Sequence, residues 1–126
     1  MGEIAKWFSE REEDVVLFQE VWSFHDELRD GMSNAGYCHY IISTRSAGSG
    51  LAIFSKYPII KQDYRDWFDA FGKGESMSPE LSNFEAFFAD KGVLYATILK
   101  VDTPIHVFNM HTNSDTNGDY HDVRVG

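Results

Sequence analysis

Short apolar runs, each halted by polar or turn-forming residues, constrain this chain more than any other feature. Val15-Val16-Leu17-Phe18 is continuous and β-branched at its start, which predicts a strand covered on both faces. Tyr37 to Ser43, Leu51 to Ser55, Val93 to Val101 and Ile105 to Met110 read as further strands, and Ile59 to roughly Trp67 as a strand or ribbon. Helical spacing is confined to the beginning of the chain. Ile4, Trp7 and Phe8 predict a short amphipathic helix ending near Arg11. In a second helix, Ser23 is the expected cap, with Asp26 as its capping-box partner. Phe24, Leu28 and Met32 would form its buried stripe, and Gly36 would end it. The turn Asp102-Thr103-Pro104 can join only antiparallel neighbours. Strands linked partly by helices and partly by tight turns predict a mixed-sheet α/β sandwich.

Composition allows one globular core, since 43% of the 126 residues are hydrophobic and 15% aromatic. A single domain over 1–126 is expected. The formal charge is -9, from 20 acidic and 11 basic residues. Such a surface repels a polyanionic backbone, which argues against a nucleic-acid partner, although a bound cation can reverse the local sign. Among the early acids Glu10, Glu12, Glu13, Asp14, Asp26, Glu27 and Asp30 read as a solvated helix face and loop, with Glu20 set apart. Cys38, the single cysteine, excludes an internal disulfide and is expected as a buried structural thiol. No stretch is long and apolar enough to span a bilayer, and no secretory leader precedes the first helix. Secreted and membrane-associated settings both stay open, as does the oligomeric state.

Glu20 directly follows the Val15–Phe18 run and Gln19, so an acid stands at the edge of a sheet. It is either a carboxylate for a hard cation such as magnesium or an ordinary strand end facing water. His111 follows Ile105 to Met110 in the same way; it would serve a phosphoryl oxygen or proton transfer, or merely end the strand. Asp90-Lys91-Gly92 stands where a long loop, Phe71 to Gly92, meets a strand. A lysine there can approach a phosphate, and a simple turn explains the same residues. Gly48-Ser49-Gly50 lacks the spacing of a phosphate-binding loop, and His111-Thr112-Asn113-Ser114-Asp115 lacks that of a zinc site. His25, His39, His106 and His121 read as structural or exposed.

Singly these signals are weak, but their order is specific. Asp14-Val-Val-Leu-Phe-Gln-Glu-Val-Trp22 resembles the strand that delivers a metal-binding glutamate in the endonuclease/exonuclease/phosphatase superfamily, whose fold is deoxyribonuclease-I-like. Gly50-Leu-Ala-Ile-Phe-Ser-Lys-Tyr-Pro-Ile59 is similar to its next block. Phe87-Phe-Ala-Asp-Lys-Gly-Val-Leu-Tyr95 resembles a block of the neutral sphingomyelinases. Ile105-His-Val-Phe-Asn-Met-His-Thr112 resembles the strand whose histidine faces the scissile phosphate, and Tyr120 and Arg124 fit the helix after it.

The resemblance implies that Glu20 ligates a catalytic magnesium ion (Mg2+), that His111 is catalytic at the phosphate, and that Asp90 and Lys91 order the active-site region. The implied reaction is hydrolysis of sphingomyelin to ceramide and phosphocholine at a membrane surface. Phe84, Phe87 and Phe88 would meet lipid or lie in the core. The family also uses an asparagine on a strand before Glu20, and later an Asp-x-Asn pair and an Asp-His pair. Asp115-Thr116-Asn117 imitates the first pair but sits too close to His111. The chain is therefore expected to be a partial domain without the first strand and the C-terminal half, and to have little activity alone. The remaining expectations are another phosphodiesterase of the superfamily, acting on nucleic acid or inositol phosphates, and a truncated lipid- or protein-binding domain.

Overall fold

A computed structural model describes residues 2–43, 50–66 and 92–111. Helix α1 spans Gly2–Ser9 and strand β1 Val15–Phe18; helix α2 spans His25–Asn34 and strand β2 His39–Ile42. Strands β3 (Ala52–Ser55), β4 (Ile59–Asp66), β5 (Gly92–Lys100) and β6 (Thr103–Met110) follow. They form a mixed α/β fold with two antiparallel sheets, ordered β1-β3-β2 and β4-β5-β6.

Alternation along β3 organises the core. Ala52 and Phe54 point to the helix side, where Val16, Leu28, Met32 and Tyr37 join them, with Phe8 and Phe18 against the edge. Ile53 points the other way, into a layer with Leu51, Leu94, Ala96 and Ile98 between the sheets. All four residues of β3 are buried, because only this strand has both a sheet neighbour on each side and a layer on each face. β1, expected to be covered on both faces, is instead an edge of its sheet and leaves Leu17 42% exposed.

Other local expectations also shift. In α1 the buried position is Ala5, with Phe8 half-buried against the core, while Ile4 and Trp7 face outward. Close helix packing selects this face, for Gly31 of α2 lies where a Cβ would come within 2.8 Å of the Ala5 Cβ. Trp7 stays on the surface under the Arg11 guanidinium, 4.2 Å from its ring centroid. Ser23 does not cap α2. The N-cap is Phe24, in a left-handed conformation with φ 59° and no side-chain cap, and its ring is 64% exposed rather than in the buried stripe. Leu28 and Met32 are buried as expected.

The other end of α2 follows the expected chemistry. Gly36 takes φ +100°, Gly36 N–H donates to Ser33 O and Tyr37 N–H to Met32 O, closing the helix with a Schellman pair. Tyr37 and Met32 meet in the core beneath it. Since Tyr37 takes the inward position, Cys38 faces outward; it is an exposed thiol, not a buried one.

The β5–β6 turn is tighter than expected. Lys100 already pairs with Thr103 and Leu99 with Pro104, so only Val101 and Asp102 make the turn. Pro104 is tolerated because β6 is an edge strand. Asp14, expected as a solvated acid, pairs with Lys100 at 2.5 Å and so ties the start of β1 to the end of β5. This contact holds the Lys100 ammonium above the usual lysine range. Among the described residues, no helix is long and apolar enough to cross a membrane.

Candidate functional site

β1 and β6 belong to different sheets, yet they end side by side, and Glu20 and His111 emerge there. The His111 Nε2 lies 3.7 Å from the Glu20 Oε1, an ion pair whenever the imidazole is protonated. The Glu20 side chain is 65% exposed and that of His111 25%, so the carboxylate stands open to solvent while the imidazole is shielded.

Local backbone chemistry aims the carboxylate. Glu20 itself takes φ 59°, which stops the strand and turns the chain. Val21 N–H donates to Gly50 O at 2.9 Å, and Trp22 N–H reaches back to Glu20 O at 3.1 Å. The Trp22 ring lies against Gly50, where a Cβ would meet ring carbons at 2.8 Å, and Gly50 has φ +72°. Gly50 is therefore needed for close approach, whereas Gly48 and Ser49 lie outside the described residues.

Residues that the sequence reading passed over hold the two strand ends together. Asn109 is 2% exposed, and its Nδ2 donates to Phe18 O at 2.8 Å and to Ala52 O at 3.0 Å. Gln19 returns the contact, its Nε2 donating to Met110 O at 2.5 Å. The alternation Ile105, Val107, Asn109, which puts the asparagine in line with two apolar residues, was the available signal for the first of these.

Asp90 and Lys91 lie outside the described residues, as do Phe84, Phe87, Phe88, Asp115, Asn117, Tyr120, His121 and Arg124. Gly92, directly after Lys91, begins β5 at the site end of its sheet, for Val93 pairs with Met110. The other described histidines are elsewhere. The His25 Nε2 contacts Val21 O at 3.1 Å, and the His106 Nδ1 contacts Tyr95 Oη and Thr97 Oγ1 on the outer face of β4-β5-β6. That face carries an open groove of about 560 Å³ between Lys61, Arg65, Tyr95 and Phe108, which Glu20 and His111 do not line.

Among the described residues no group of three or more His, Cys, Asp or Glu side chains could hold a metal ion. One solvent-open carboxylate still fits magnesium, which keeps several waters and is commonly held by one or two carboxylates with substrate phosphate. The Asn109 amide nitrogen is committed to two backbone carbonyls and points into the core.

With two stacked sheets, helices on one outer face and an acid–histidine pair at adjoining strand ends, the comparisons with known proteins agree on a class. The Endonuclease/Exonuclease/phosphatase family profile matches residues 1–119, and the chain belongs to this family. Within it the chain is similar to sphingolipid-directed members. It is 28% identical over 130 aligned residues to a putative neutral sphingomyelinase of Drosophila melanogaster, covering 97% of this chain and 27% of that protein. It is 49% identical over 51 residues to the inositol phosphosphingolipids phospholipase C of Schizosaccharomyces pombe, covering 38% of this chain and 12% of that one.

The fold is that of sphingomyelinase C from Streptomyces griseocarneus, with a TM-score of 0.68 at 19% identity over 91% of this chain and 41% of that one. A mutant beta toxin from Staphylococcus aureus, with bound magnesium ions, gives 0.65 at 23% identity over 92% and 42%. The chain spans less than half the length of each of these proteins.

Proposed function

We propose that this chain carries the Glu20–His111 part of a magnesium-dependent phosphodiesterase site that hydrolyses sphingolipid phosphodiesters at a membrane surface. The observation that supports it best is the meeting of Glu20 and His111, 91 residues apart, at 3.7 Å on adjoining ends of two sheets.

In this reading the Glu20 carboxylate holds Mg2+. When bound, the ion supplies positive charge to a phosphoryl oxygen and the leaving group. The shielded His111 donates a hydrogen bond to the phosphoryl group and opposes charge developing in the transition state. Water attacks phosphorus, the bond to the lipid oxygen breaks, and with sphingomyelin the products are ceramide and phosphocholine. Asp90 and Lys91, preceding a strand that starts at the site end, would order this region. Residues 1–126 act as one unit, and the acidic balance disfavours nucleic acid as the substrate.

The Schizosaccharomyces pombe relative favours a second head group, phosphoinositol, in place of phosphocholine. Either product comes from a sphingolipid phosphodiester, so one assay separates them.

The test expresses the longest open reading frame containing this chain and follows both products from mixed lipid vesicles. Glu20→Gln should lower the apparent magnesium affinity, and His111→Ala should lower kcat by roughly 10²–10³, the range for losing one transition-state donor. Full activity in both variants would remove the assignment. The 126-residue polypeptide should show little turnover by itself, because among the described residues no third His, Cys, Asp or Glu joins Glu20 and His111 to complete a metal site or activate the water.

A further inference from the structure

We propose that Asn109 and Gln19 form a reciprocal clasp across the two sheets, whose role is to fix the spacing between Glu20 and His111. The inference rests on the reading of those two residues as a working pair, but its observations are independent of any ligand.

Asn109 is on β6, in one sheet, and the carbonyls it binds belong to the other. Phe18 and Ala52 are the last registered partners of β1 and β3. Both hydrogens of its amide are used there, at 2.8 and 3.0 Å. The return contact starts from Gln19 on the β1 side and ends on Met110 O on the β6 side. Each donor thus sits one or two residues before a site residue, and so do two of the three acceptors, Phe18 and Met110, on the opposite strand; the third, Ala52, belongs to the neighbouring strand β3. Two antiparallel sheets stacked only through apolar side chains can slide, since hydrophobic contact has no direction. Directional bonds at their shared end remove that freedom where the site lies.

The apolar layer around position 109 does not by itself call for an amide there. The neighbouring inward residues of this layer are Leu51, Ile53, Leu94, Ala96 and Ile98. A leucine, with the same number and branching of side-chain heavy atoms, would suit that apolar layer but would leave the Phe18 and Ala52 carbonyls without this donor. An asparagine in that layer is explained by what its two donors hold.

The test is nuclear Overhauser spectroscopy on the 126-residue chain, without metal or lipid. The wild type should give cross-peaks between the His111 ring protons and the Glu20 side chain. In Asn109→Leu, and in Gln19→Ala, these should be lost while cross-peaks among Ile53, Ala96 and Ile98 persist. Gln19 is exposed, so its variant decides the matter if Asn109→Leu does not fold. Retained His111–Glu20 cross-peaks in the folded variants overturn the clasp. Equal loss of the core cross-peaks does so as well, by making these residues ordinary packing. Lack of hydrolysis in the activity assay would remove the phosphodiesterase reading and leave this result standing.

Discussion

Tyr37 joins several levels of the structure in one side chain. It is fully buried, its backbone N–H closes α2, and its hydroxyl donates to Glu13 O at 2.7 Å. Its ring meets Phe8 edge-on at 6.1 Å between centroids. Burial, with added repulsion from Glu13 and Asp14, raises its pKa above the ordinary 10.0. The neutral phenol is thus favoured in the folded state, and the stability it contributes is complete below pH 10. As pH rises past that value the unfolded chain loses its proton first, and the contribution falls until the folded phenol ionises too. Alkaline melting should therefore show a stability loss beginning near pH 10. Tyr37→Phe should remove that part of the loss while costing about 1 kcal/mol at neutral pH for the missing hydrogen bond. Urea denaturation at neutral and alkaline pH checks both halves, and an unchanged alkaline slope in the variant would refute the assignment.

At the scale of elements, the β5–β6 hairpin carries a visible local conflict. Val101 is 75% exposed with φ 58°, a conformation in which a β-branched residue is strained by about 1–2 kcal/mol. Val101→Asn should relieve part of this, since asparagine visits the left-handed region and no buried area is lost. A gain of about 1 kcal/mol is expected, seen as a rise of several degrees in the melting temperature; no rise would mean that the turn bears no strain. This turn also shows what the sequence could and could not disclose. Strand identity was legible at Val15–Phe18, Ala52–Ser55 and Ile105–Met110, because short apolar runs between breakers have few alternatives. The turn's length was not, since it depends on register, which Leu99 and Pro104 settle by pairing. The helix face in α1 was misread for a related reason: the close approach of Gly31 to Ala5, not the larger Ile4 and Trp7, decides which side is buried. Glu20 and His111 could be named from strand ends, but their proximity could not, because it joins residues of two sheets. Asn109 escaped notice since a polar residue in a strand reads as outward-facing until the inward register is known.

The molecule as a whole makes its candidate site a gauge of how the sheets are stacked. Glu20 follows a strand of one sheet and His111 a strand of the other, so their separation depends on the layer between them. Ala96, fully buried in that layer, is among its smallest side chains. Ala96→Leu would add bulk where both sheets already touch, at a cost of about 1–3 kcal/mol. It should push the sheets apart and weaken the His111–Glu20 contact without altering either residue. Phe54→Leu provides the comparison, for Phe54 is equally buried but faces the helices, so its loss of packing leaves the inter-sheet layer alone. If stacking governs the site, the two variants should both melt earlier, yet only Ala96→Leu should lose the His111–Glu20 cross-peaks. Preservation of those cross-peaks in both would mean that the clasp of Asn109 and Gln19 holds the strand ends whatever the core does. Their loss in both would tie the site to global stability instead of to the spacing of the sheets.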